Sequence, residues 1–86
     1  MTDRTIDTTV TFTRPFKLWP MDAPQAAGTY RLVVDEEEIL GLSFVAYRRT
    51  ATMLHTPAIG APVTSGQVYS VQQADLSAAL EADARP

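Results

Sequence analysis

Cysteine is absent from this chain of 86 residues. That excludes a disulfide framework, thiolate metal sites and cysteine nucleophiles together, and it fits a reducing compartment. Positive charge is scarce: one lysine, Lys17, and six arginines stand against ten acids, for a net charge of −3. Nucleic-acid binding needs a concentrated basic face to neutralise phosphates. Only Arg48 and Arg49 are adjacent, with four acids close upstream, so no nucleic-acid partner is expected. No apolar run approaches the roughly 18 residues that span a bilayer. The opening "MTDRTIDTTV" lacks the apolar core and small-residue cleavage site of a secretory signal, so the expected location is the cytoplasm, with no membrane partner.

Catalytic signatures are equally sparse. His55 is the only histidine, and neither a G-x-S-x-G elbow nor a Gly-rich oxyanion loop accompanies it. The string "AIGAPVTSG" has the spacing of neither a dinucleotide fingerprint nor a P-loop. No catalytic, cofactor-binding or metal-ligating residue is therefore assigned, and no cofactor is expected. A small hydrolase built on His55 and nearby serines and acids ranks last among the readings.

What the chain does contain is β-forming sequence. Eleven threonines, with Val, Ile, Tyr and Phe, sit in short runs separated by Pro and Gly. Over residues 5–13, Ile6, Thr8, Val10 and Phe12 alternate with Thr5, Asp7, Thr9, Thr11 and Thr13, the pattern of a half-buried strand. Pro15 cannot donate a ladder hydrogen bond, which makes this an edge strand, a bulge, or two strands joined by a bend. "PMDAPQAAG" reads as a loop, and "GTYRLVVD" as a strand with Tyr30, Leu32 and Val34 on one face. A third long strand covers much of "VAYRRTATMLHT". Residues 57–66 form a punctuated, flexible loop, and "QVYSVQ" a short strand. In "ADLSAALEADARP", Leu76, Ala79 and Leu80 share a helical face, with Asp75 as the expected N-cap. The expected fold is one mainly β domain over residues 1–86, with residues 1–4 and 84–86 frayed. It is a small antiparallel meander or partly closed barrel of about four to six strands, with a C-terminal helix.

The stretch "VVDEEEILGLSFVAYRR" is the most charge-patterned part of the chain. If its two ends pair as antiparallel strands, one register sets Leu32 opposite Ala51, Tyr30 opposite Met53, Glu36 opposite Tyr47 and Asp35 opposite Arg48. Apolar then meets apolar and acid meets base. On that reading the charges choose an alignment. A divalent-cation site is the rival, but consecutive strand residues diverge to opposite faces, whereas oxygen ligands must converge. The connector "ILGLSF" is nearly all apolar, unlike most hairpin loops. It is expected to fold back as a plug over one end of the sheet; the alternative is an exposed partner surface.

The stretch "PFKLWPMDAPQAAGTYRLVVDEEEILGLSFVAYRRTATML" resembles a group of small alphaproteobacterial proteins sharing an "aGTY…DEE.I.GLSF.AYRR" core. The resemblance covers about the middle half of the chain and implies no activity. The absence of catalytic motifs, the small size, the apolar connector and the edge strands make the first functional expectation a non-enzymatic protein-interaction or accessory module, with self-association through an edge strand its simplest version. Its candidate surface is Ile39, Leu40, Leu42, Phe44, Tyr47, Arg48, Arg49 and Trp19. The second is a domain binding a small anionic ligand between the sheet and the 57–66 loop, where Arg48 or Arg49 meets the anion and Tyr47 or Trp19 forms a wall.

Overall fold

The computed structural model describes residues 3–62 and 66–86; the first two residues of the expected frayed end, and 63–65 of the expected flexible loop, lie outside them. Strands β1 (Arg4–Phe12), β2 (Gly28–Glu38), β3 (Tyr47–Thr56) and β4 (Gln67–Ser70) form an open antiparallel sheet in sequence order, followed by helix α1 (Gln73–Ala84). The meander and the C-terminal helix are as the residue pattern predicts. The sheet does not close: β1 lies at one edge and β4 at the other.

The alternation in β1 sets its faces. Val10 lies opposite Tyr30, Thr8 opposite Leu32 and Ile6 opposite Val34, so these residues share the face that carries the core. Burial along that face rises from exposed Ile6 to Phe12, only 1% accessible. β1 stops at Phe12, and the chain bends through Thr13 and Arg14 before Pro15. It then returns: Phe16 and Gln25 exchange two backbone hydrogen bonds of 3.0 and 2.7 Å. The segment read from sequence as a loop after Pro20 thus folds over the sheet, and Phe16, Leu18 and Met21 join the core. Phe12 and Phe16 stack at 3.7 Å between centroids, and Tyr30 meets Phe16 edge-on at 5.2 Å.

The helix docks on this end of the sheet. Leu76 is buried, with Ala79 and Leu80 packed beside it. Its N-cap is Gln72 rather than Asp75. Asp75 falls in the first turn instead, where its charge complements the positive end of the helix dipole. A twelve-residue helix is marginal alone, so it persists by burying these side chains. Each fully buried large apolar side chain contributes about 1.5–3 kcal/mol.

The helix is too short to cover the sheet. At 1.5 Å per residue it spans about 18 Å; the eleven residues of β2, at about 3.3 Å each, span about 36 Å. The core therefore occupies one end, around Phe12, Tyr30 and Leu54, and the far halves of β2 and β3 run on as an arm. The radius of gyration is 14.7 Å, and the extents are 45 × 32 × 20 Å. A compact chain of this length would have a radius of about 12 Å.

The β2–β3 register differs from the expected one. Leu32 faces Leu54, Val34 faces Thr52 and Asp35 faces Ala51; the pairing then shifts, so that Glu36 faces Arg49 and Glu37 faces Arg48. Thr50 is the extra residue of a β-bulge. The core side of β3 is consequently Thr52 and Leu54, both buried, and not Ala51 and Met53. Apolar residues stand on both faces of β3, so its alternation favours neither phase, and the bulge lets the acids meet the arginines without dictating the pairing beyond it.

Candidate interaction surface

The arm ends in the connector between β2 and β3. Ile39 donates its N–H to the Ala46 carbonyl at 2.9 Å, which closes the loop beyond the last strand pair. Gly41, at φ +85°, supplies the left-handed turn that side-chain-bearing residues rarely adopt. The expected plug is not formed. Ile39 and Leu42 are exposed, Leu40 and Phe44 are about two-thirds accessible, and Val45 is 73% accessible. The connector is carried past the reach of the helix, and the Phe16–Met21 segment already fills the core that it was expected to extend.

Charged side chains brace the arm behind this tip. The Arg4 guanidinium lies 3.8 Å from the Tyr47 ring centroid and donates to the Glu36 carboxylate at 2.7 Å. One side chain of β1 thereby contacts both β2 and β3. Arg48 pairs with Glu37 at 2.6 Å rather than with Asp35, whose carboxylate accepts the Thr5 hydroxyl at 2.7 Å. Arg49 is exposed opposite Glu36 and makes no ion pair among the described residues. The acids thus divide between partners on the two faces. Among the described residues, no group of three or more His, Asp or Glu side chains is placed to hold a metal ion.

The structure brings Ile39, Leu40, Leu42, Phe44, Tyr47, Arg48 and Arg49 together at one end of the molecule. It leaves Trp19 out. That ring is 73% accessible and lies beside Lys17 and the Asp75–Ala79 side of the helix, at the core end. The residues expected to wall a pocket are separated too. Tyr47, Arg48 and Arg49 begin β3 and Pro57 follows its end, about 30 Å away at 3.3 Å per residue. His55 sits on the uncovered face between Arg31 and Val68. Among the described residues, no carboxylate or hydroxyl is hydrogen-bonded to it, and the Asp7 carboxylate lies near enough to feel its charge.

Two electrostatic clamps leave no signal in the sequence because their partners are distant along the chain. Arg31 holds Asp7 through a bidentate contact, its closest approach 2.6 Å, and that bond keeps the Asp7 carboxyl below its ordinary range. Asp83 accepts the backbone N–H groups of Thr13 and Arg14 and the Thr13 hydroxyl. Its carboxyl is lowered as well, chiefly by the Thr13 N–H. Burial pushes the Tyr30 phenol up, and its hydroxyl donates to the Ala26 carbonyl.

Among the described residues, no helix is long and apolar enough to cross a membrane. No family model matches this chain, and neither a curated protein nor a solved structure matches it.

Proposed function

We propose that this chain is a non-enzymatic interaction module whose partner surface is the apolar tip of its projecting arm. The carrying observation is the exposure of Ile39, Leu40, Leu42, Phe44 and Val45 on one connector. Five adjacent apolar side chains held in water beyond the core add nothing to its packing. They are free to lose solvent against another surface. Arg49 stands at the same end as a cation without an ion pair among the described residues, and Arg48 and Glu37 form a polar rim, the arrangement of a small contact site with a desolvated centre.

The test compares the native chain with a Leu42→Ser, Phe44→Ser variant, each immobilised and exposed to extract of the native host. Both changes fall on exposed loop positions, so thermal unfolding of the variant should match the parent. Proteins retained by the parent and lost by the variant support the reading. Equal retention by both sinks it.

A further inference from the structure

The two edges of the sheet are built differently. On one side β4 is only four residues long, and the part of β3 that extends beyond it carries the bulge at Thr50. Short and bulged edges resist pairing with other strands. β1 has neither protection. It runs nine residues without Pro, Gly or Lys, and its register with β2 is unbroken from Arg4 opposite Glu36 to Phe12 opposite Gly28. Alternate residues along it direct their N–H and C=O groups away from β2.

We propose that β1 pairs antiparallel with β1 of a second copy, across a twofold axis at Thr8, to make one continuous eight-stranded sheet. The sequence of the strand selects this occupant and this register. A twofold axis normal to the sheet keeps the core-bearing faces on one side, so residues of like phase must face each other. Centring on Thr8 engages all nine residues. Ile6 then faces Val10 of the second copy, Thr8 faces Thr8, Thr5 faces Thr11 and Asp7 faces Thr9. Arg4 faces Phe12, the Ile6–Val10, Thr5–Thr11 and Thr8–Thr8 pairs join β-branched side chains, and no like charges are opposed. Centring on Asp7 would set two carboxylates face to face, and centring on Thr9 leaves Arg4 and Thr5 unpaired.

The pairing also removes an exposed apolar residue from water. Ile6 lies on the core-bearing face where the helix does not reach, 38% accessible, whereas Val10 packs against the core. In the dimer each Ile6 meets the Val10 that borders the other copy's core. One strand pair buries less than the roughly 1,600 Å² of a standard interface, so the dimer dissociates on dilution. The inference deepens the interaction-module reading by naming the partner of a surface other than the tip. The Leu42→Ser, Phe44→Ser variant should dimerise like the parent, which keeps the two proposals separable.

The absence of cysteine makes a direct test possible. Across this axis the two Thr8 Cα atoms stand about 4.5–5.5 Å apart, within the roughly 4.4–6.8 Å that a disulfide spans. Thr8→Cys should therefore cross-link rapidly under mild oxidation, while Ser77→Cys, exposed on the helix, should not. Thr5→Cys mixed with Thr11→Cys should cross-link only between the two variants. In sedimentation, Thr8→Lys should raise the dissociation constant about tenfold by opposing like charges, and an equimolar mixture with Thr8→Glu should recover it. All three positions are exposed in the single chain, and circular dichroism verifies their folding. A monomer at every concentration overturns the proposal. So does a Thr8→Cys chain that cross-links no faster than Ser77→Cys, or a Thr5→Cys chain that cross-links as well alone as in the mixture.

Discussion

The Asp83 carboxylate holds Thr13 from 70 positions further along the chain, accepting its backbone N–H at 2.9 Å and its hydroxyl at 3.0 Å. A second N–H, from Arg14, reaches the same carboxylate at 2.9 Å. β1 has just ended there, so these two donors have no strand partner, and the last turn of the helix supplies one. Asp83→Ala should raise amide exchange at Thr13 and Arg14 and lower the melting temperature. Asp83→Asn, which keeps one acceptor oxygen, should fall between. Unchanged protection in Asp83→Ala would show that the clamp holds nothing.

Acid should open the same contact. The Asp83 and Asp7 carboxyls are both lowered in the folded chain, by the Thr13 N–H and by Arg31 respectively. A lowered carboxyl contributes stability that is fully present above its unfolded value, about 3.9. That contribution is lost as pH falls through the folded value, when the protonated group no longer accepts as strongly. Stability should thus be flat from neutral pH to about pH 5 and fall below about pH 4, less steeply in the Asp83→Asn, Asp7→Asn double variant. Denaturant midpoints across that range give the comparison; parallel curves for parent and variant would assign the acid loss to other groups.

Core and arm should respond differently to the loss of side-chain volume. Leu54 is fully buried in the same core cluster as Tyr30 and Phe12, and Leu54→Ala should cost about 2–5 kcal/mol. Ile6→Ala, on the uncovered part of the same face, should stay within about 0.5 kcal/mol at concentrations where the chain is monomeric. Denaturant unfolding measures both. A large loss at Ile6 in the monomer would mean that the arm is packed more tightly than its exposure indicates.

The ion pairs test the register. Glu37 and Arg48 should couple by roughly 0.2–1 kcal/mol in a double-mutant cycle, as partly exposed pairs do. The Asp35–Arg48 cycle should give a value near zero, because Asp35 accepts from Thr5 instead. The reverse ordering would restore the sequence-derived alignment.

That alignment illustrates how far the residues alone could be read. In β1 the apolar side chains keep to one phase, and in β2 all but Val33 do, so Phe12, Tyr30, Leu32 and Val34 could be assigned to the core from spacing. β3 carries Ala51 and Met53 on one phase and Thr52 and Leu54 on the other, and neither set dominates. Its true face depends on the bulge at Thr50, which no glycine or proline marks. The opposed acids and arginines were legible as pairs across a hairpin, but four successive acids can accept two arginines in several ways. At the candidate surface, the apolar character of residues 39–44 was visible while their exposure was not. Exposure depends on where the helix stops and on how Phe16, Leu18 and Met21 fold back, both of which are tertiary facts. Trp19 fails for the same reason: its neighbours Leu18 and Met21 enter the core, and the indole is turned out beside the helix.

The single inserted residue in β3 also decides which side of the arm each arginine occupies. With Thr50 bulged out of the ladder, Arg49 and Tyr47 share the core-bearing side with Glu36, and Arg48 points to the opposite side to reach Glu37. If Thr50 instead took a place in a regular ladder, opposite Glu36, every position before Ala51 would change sides. Tyr47 would leave Arg4, Arg48 would leave Glu37, and the guanidinium groups would exchange places beneath the tip. One residue left out of the ladder, carrying no special chemistry of its own, thereby gives the arm its handedness of charge.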